Sequence, residues 1–138
     1  MKKHLWSLIL LLIVLSACHL SPQPELSPPE VVTKFYRWYI GYPGNPLVDK
    51  EYRHSPYLAD SFIQQVDQTL AAFDRGSADP ILLAQDIPES FTVNQTTVDG
   101  ERATVMVHFF WSGNPTPSER QVDLKLIDGA WKITTISI

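Results

Sequence analysis

Histidines and carboxylates have the widest chemical reach in this 138-residue chain, so the first question is what they can do together. Two of its four histidines, His54 and His108, lie beyond the first twenty residues. An imidazole titrates near neutral pH and becomes a general base when a carboxylate orients it. His54 follows Arg53 in a polar stretch and reads as a solvated loop residue. His108 alternates out of phase with Val107 and Phe109. It therefore belongs on the sheet face opposite the core, with no carboxylate beside it in sequence. Asp79 and Asp86 frame the stretch Asp79-Pro80-Ile81-Leu82-Leu83-Ala84-Gln85-Asp86. Two carboxylates can share acid–base work. The same residues also suit a structural role, with Asp79 capping ahead of Pro80 and with Gln85 and Asp86 bonding turn backbone. Ligand or partner contact by Asp79, Gln85, Asp86 and His108 stands as the alternative.

Other chemistries lack their residues. There is no Gly-rich phosphate loop, no G-x-S-x-G, and no His/Cys/Asp/Glu cluster at metal-ligand spacing. No catalytic residue, metal site or cofactor is assigned. The net charge is −4, with no basic run, which makes nucleic acid an unsuitable partner. The aromatic residues are more informative. Tyr36, Trp38, Tyr39, Tyr42, Tyr52 and Tyr57 crowd into one third of the chain. Trp38 falls off the main apolar stripe and Tyr42 lies among turn formers. Aromatics of this kind are enriched at protein interfaces. Trp38, Tyr39 and Tyr42 are therefore candidate contacts for a ligand or an envelope protein.

The elements that must hold these residues follow from pattern. Ser27-Pro28-Pro29-Glu30 has a cap, a proline suited to the first turn, and an acid at the capping-box position. A helix runs from there to about Ile40, with Val32, Phe35, Tyr36 and Tyr39 on one face. A second helix is expected from Ser55-Pro56, with Leu58, Phe62, Val66, Leu70 and Phe73 inward, Arg75 near its end and Gly76 as its stop. After Pro88 the pattern turns to strands at Phe91–Val98, Arg102–Trp111, Val122–Leu126 and Trp131–Ile138. Asp99-Gly100 and Asp128-Gly129 mark hairpins. Helices followed by an antiparallel meander read as α+β, with helices packed on a four-stranded sheet. The predicted core faces carry hardly a charge. Only one cysteine is present, so no disulfide forms within the chain.

That cysteine, Cys18, closes a basic start (Lys2, Lys3, His4) and an apolar run from Leu5 to Leu15. Such a run spans about 16 Å as a helix, at ~1.5 Å per residue, while a bilayer core takes about 20 residues. It reads as an export signal. Leu15-Ser16-Ala17-Cys18 resembles the lipobox of bacterial lipoproteins. The resemblance implies cleavage before Cys18, lipid on Cys18 and anchorage in a membrane. His19, where an Asp would imply retention in the inner membrane, implies an outer-membrane protein facing the periplasm. Residues 1–17 are then the signal peptide, 18–29 a lipidated Pro-rich tether, and 30–138 a single domain.

Within that domain, Val31-Val32-Thr33-Lys34-Phe35-Tyr36-Arg37-Trp38-Tyr39 and "SPYLADSFIQQVDQTL" resemble the helices of nuclear-transport-factor-2-like (cystatin-like) domains. "ADPILLAQDIP" and "DGAWKITTI" are similar to bacterial lipoproteins of the domain of unknown function 3828 family. The resemblance implies that fold and an envelope location, and it brings no activity with it. Some members of the fold group are enzymes with an Asp–His pair in a pocket between sheet and helices. The expected function is a lipid-anchored periplasmic binding or accessory module without catalysis. The alternatives are a small pocket enzyme of the same fold and a toxin-immunity lipoprotein. Replacing Cys18 by Ser is expected to abolish palmitate incorporation and to release the chain from the membrane fraction. A Cys18→Ser protein that still labels and stays with membranes would sink the lipobox reading.

Overall fold

The computed structural model describes residues 24–72 and 78–138. The expected signal peptide, Cys18 and most of the expected tether lie outside them, as do Phe73, Arg75 and Gly76. Among the described residues no helix is long and apolar enough to cross a membrane. The fold is α+β. Helix α1 (Pro28–Gly41), a 3₁₀ turn (Glu51–His54) and helix α2 (Asp60–Ala72) precede strands β1 (Ser90–Asp99), β2 (Arg102–Phe110), β3 (Ser118–Ile127) and β4 (Ala130–Ser137). The strands form one antiparallel meander in the order β1-β2-β3-β4.

Helix α1 starts where the sequence places it. Ser27 N–H donates to the Glu30 carboxylate at 2.8 Å, Pro28 occupies the first turn, and Pro43 blocks continuation past Gly41. Val31, Val32, Phe35, Tyr36 and Tyr39 are buried against the sheet. The ring of Tyr36 meets that of Phe109 edge-on at 4.9 Å. The sheet answers with Ala103, Val105, Val107 and Phe109 from β2, Val122 and Leu124 from β3, and Trp131, Ile133 and Ile136 from β4. Each large side chain so buried contributes about 1.5–3 kcal/mol. Asp128 and Gly129 both take positive φ (50° and 78°), the conformation that joins β3 to β4 in a two-residue turn.

Three expectations need correction. Helix α2 begins at Asp60 rather than at Ser55-Pro56. Ser55 instead closes the 3₁₀ turn, its N–H donating to Tyr52 O at 3.2 Å. The chain then runs extended beside β4: Ile133 N–H donates to Tyr57 O at 2.8 Å and Ala59 N–H to Ile133 O at 2.9 Å. Leu70, expected inward, is exposed. A spacing of four residues drifts about 40° per step around a 3.6-residue helix, so the stripe that starts at Phe62 leaves the core by Leu70. Finally, β3 begins at Ser118, four residues before Val122, and this brings a charge into the core.

That charge is Arg120, 4 % exposed. Its Nε donates to Leu82 O and its Nη2 to Leu83 O, both at 3.0 Å; Nη1 donates to Ser118 Oγ at 2.6 Å and Glu119 O at 2.7 Å. No carboxylate lies within ion-pair distance among the described residues. Burial pulls its pKa below the ordinary arginine value. The carbonyls it holds belong to the connector between α2 and β1, where Leu83 sits at φ 52°. A left-handed conformation is costly for a branched apolar residue, and it turns two successive carbonyls towards one guanidinium.

Removing this fork leaves buried carbonyls without donors. Arg120→Ala should lower unfolding free energy by about 3 kcal/mol in urea titrations. Arg120→Lys should recover only part, because one ammonium cannot span both carbonyls as a planar fork does. An unchanged midpoint in Arg120→Ala would refute this role.

Candidate functional site

Two of the clustered aromatics, Trp38 and Tyr57, line a groove of about 580 Å³; Tyr42 packs on Trp38 without lining it. Lys34, Arg37 and Trp38 of α1 form one wall; Glu51, His54, Ser55, Pro56 and Tyr57 form the other. Helical spacing explains the first wall. Lys34, Arg37 and Trp38 lie three and four residues apart on the side of α1 that turns away from the sheet. Trp38 is half-buried, its ring centroid 6.0 Å from those of Tyr39 and Tyr42 and 6.1 Å from that of Phe35. The ring is thus braced by three others and still borders solvent.

The second wall is set by the turn after α1. Asn45 Oδ1 accepts from Leu47 N–H at 3.0 Å and Val48 N–H at 3.2 Å, and Lys50 takes φ 59°. The following 3₁₀ turn is clamped to α2. Asp67 Oδ1 accepts from the buried Tyr52 hydroxyl and from Arg53 Nε, the latter at 3.0 Å. Ser55–Tyr57 is held by the β4 contacts already given, and Lys132 Nζ donates to Pro56 O. Both walls are therefore fixed by secondary structure rather than by loop contacts alone.

The other candidates separate. Tyr39 and Asp79 meet: the Tyr39 hydroxyl donates to Asp79 Oδ2 at 2.7 Å. Tyr39 itself is buried, so it supports the groove from behind rather than offering a contact. Asp79 Oδ1 accepts from Ile81 N–H at 2.7 Å and Leu82 N–H at 3.0 Å, the capping role its place before Pro80 suggests. Gln85 and Asp86 are exposed, and the Asp86 carbonyl accepts from Trp111 Nε1 at 3.1 Å. Neither borders the Trp38 groove. His108 lies on the open sheet face, as its phase predicts. It does have a carboxylate partner there: Glu119 sits opposite it across the strands, with 2.8 Å between Nε2 and Oε2. This pair is away from the groove lining. Among the described residues no three His, Cys, Asp or Glu side chains converge on a point that could hold a metal ion.

Sequence reasoning missed Lys34, Arg37, Tyr57, Glu119 and Arg120. The alternation that places Val122 and Leu124 inward, extended back by two residues, puts Arg120 inward as well. The same extension puts Glu119 outward beside His108. Nothing local in the sequence brings Tyr57 opposite Trp38, because that depends on β4.

The chain is similar to a component of an effector–immunity complex. Against a chain of the type VI effector–immunity complex Tae3–Tai3 from Ralstonia pickettii, in its native form, identity is 27 %, the match covers 80 % of this chain and 94 % of that one, and the TM-score is 0.65. The selenomethionine form of the same complex gives 27 % identity, 80 % and 95 % coverage and a TM-score of 0.63. A protein of unknown function from Bacteroides thetaiotaomicron VPI-5482 shares the fold, at 22 % identity, 80 % and 88 % coverage and a TM-score of 0.57. No family model and no curated protein matches the chain.

The two structural carboxylates respond to pH with opposite sign. The Tyr52 hydroxyl, and after it Arg53, holds Asp67 below the ordinary carboxylate pKa. A carboxylate whose folded pKa is depressed adds stability above its unfolded pKa of about 3.9 and loses it as pH falls through the folded value. Burial raises Asp79 despite the donors around it. Its ionisation favours the unfolded chain, so stability falls as pH rises from the ordinary value through the folded one. In urea unfolding measured from pH 3 upward, Asp67→Asn should flatten the acid loss of stability. Asp79→Asn should remove an opposing slope just above the ordinary carboxylate range. Identical pH profiles for wild type and both variants would exclude this assignment.

Proposed function

We propose that this chain is an immunity-type binding module of the bacterial envelope, anchored by lipid on Cys18, that engages an effector-type protein through the Trp38 groove. The observation that carries the reading is the 27 % identity to a chain of an effector–immunity complex, spanning 94–95 % of that chain. The groove supports it. Trp38 and Tyr57 supply anchors of the kind that dominate protein interfaces. Lys34 and Arg37 add positive charge to an otherwise acidic chain, which suits an acidic segment on the partner. The domain is read as nuclear-transport-factor-2-like and as related to the domain of unknown function 3828 lipoproteins, facing the periplasm from the outer membrane. A Pro-rich tether of about ten residues reaches ~30 Å when extended, which keeps the domain close to the bilayer. The pocket-enzyme alternative would need a histidine–carboxylate pair inside a cleft. The His108–Glu119 pair lies on the open sheet face instead, and Glu51 and His54, which both line the groove, make no hydrogen bond to each other among the described residues.

Growth protection tests the proposal. An effector of the Tae3 type from the same genome is directed to the periplasm of a sensitive host, with and without this chain. The chain should restore growth and bind the purified effector. Trp38→Ala should weaken binding by about 2 kcal/mol, roughly thirtyfold. Because Trp38 also packs on the core, Lys34→Glu with Arg37→Glu provides a second variant that leaves the core untouched; it too should lose affinity. His108→Ala should protect as well as the parent. A folded chain that neither binds nor protects, or groove variants that protect fully, would overturn the proposal.

A further inference from the structure

The sheet treats its two edges differently. Along β4, the segment Tyr57–Ala59 lies parallel to Ile133 and takes up its N–H and C=O. Along β1, strand β2 is the only neighbour in the sheet among the described residues. Among the described residues no backbone group pairs with the outer side of Ser90–Asp99. Most of this strand is exposed. Proteins usually blunt such an edge with lysine, proline, an inward charge or a bulge. Ser90–Val98 has no charge and no proline, and its single irregularity falls at the middle of the strand.

The strand is instead matched to itself. Its pairing with β2 shifts between Val93 and Thr96, so Asn94 and Gln95 together oppose Met106. Before the shift, Phe91 and Val93 pair with Phe109 and Val107 on the core face; after it, Thr96 and Val98 pair with Val105 and Ala103 on that same face. Ser90, Thr92, Thr97 and Asp99 share the open face. Now lay a second copy antiparallel along the edge with all ten residues overlapping. Ser90 falls opposite Asp99, Phe91 opposite Val98, Thr92 opposite Thr97 and Val93 opposite Thr96.

Residues opposite one another in an antiparallel pair share a face. In a regular ten-residue strand this register is forbidden, because it sets odd positions against even ones. The shift at Asn94–Gln95 exchanges the phase halfway along, and so makes every one of these pairs face-matched. The two irregular segments meet at the twofold axis, two residues against two. Val98, 54 % exposed in the single chain, would be covered by Phe91 of the second copy. The strand itself carries no charge from Ser90 to Val98, while Glu30, Lys34 and Arg37 of α1 border Val93, Asn94 and Thr96.

We infer that β1 is a self-association edge, joining two copies of this chain through antiparallel β1–β1 pairing into one eight-stranded sheet. The pairing is isologous and closes on itself, so it yields a dimer and not a filament.

Cysteine pairs in the full chain test the register. Thr92 and Thr97 of opposite copies lie face to face. Within one copy they are five residues apart along a strand, about 16 Å, beyond the ~7 Å that a disulfide spans between Cα atoms. Thr92→Cys with Thr97→Cys should therefore give an oxidised dimer, while each single variant should not; Cys18 is common to all three. Adding Val98→Lys, at an exposed position, should cut the crosslinked fraction about tenfold by placing a charge in the seam. The inference is overturned by equal crosslinking in the single and double variants. It is equally overturned by a double variant that melts like the parent yet forms no dimer, or that crosslinks to another protein instead.

Discussion

A buried guanidinium organises this domain. Arg120 reaches from β3 into the core and holds the carbonyls of Leu82 and Leu83. Its other two hydrogen bonds go to Ser118 Oγ and the Glu119 carbonyl on its own strand. The dependence is mutual. The left-handed Leu83 turns two successive carbonyls towards the guanidinium, in a turn that Asp79 and Ala84 also close through the backbone. A buried arginine is unfavourable unless its donors are met. Asp79 completes the arrangement from the other end, capping the same turn and receiving Tyr39 from α1. One polar network thus ties helix, connector and sheet, and it fixes how α1 lies on the β-strands.

The position of α1 is what makes the groove. With Phe35, Tyr36 and Tyr39 committed to the core, Trp38 is left at the helix flank, braced by its neighbours. The second wall is supplied from further along the chain, by a 3₁₀ turn clamped to α2 through Asp67. Asp79, whose pKa burial raises, is spent on capping and lies outside the groove lining.

Much of this was legible in the sequence where the signal was local. The capping box at Ser27 and Glu30, the Asp-Gly turns and the alternation along β2 each depend on residues a few positions apart. The helix–sheet order followed from them, and the place of Asp79 before Pro80 suggested a cap, with ligand contact as the alternative. What was not legible depends on partners distant in the chain. Ser55-Pro56 looks like a helix start, but Ile133 competes for that backbone and draws it into an extended path. Arg120 drew no reading because the strand's alternation was followed through its apolar members only. His108 had no visible carboxylate until the β2–β3 register set Glu119 beside it. The candidate site suffered most: Trp38 was apparent as an aromatic off the stripe, whereas Tyr57 faces it only through tertiary structure.

The link between Tyr57–Ala59 and Ile133 also orders events in time. It joins residues about 75 positions apart, close to the C-terminal end of the chain. Contacts of such separation form late, after the local helices and hairpins. The groove wall at Ser55–Tyr57 therefore cannot be completed until the last strand has been made, delivered and docked. A chain truncated before β4 would keep its first helix and its Trp38, yet lack the surface that the aromatic ring faces. The wall at Ser55–Tyr57 thus depends on the docking of β4.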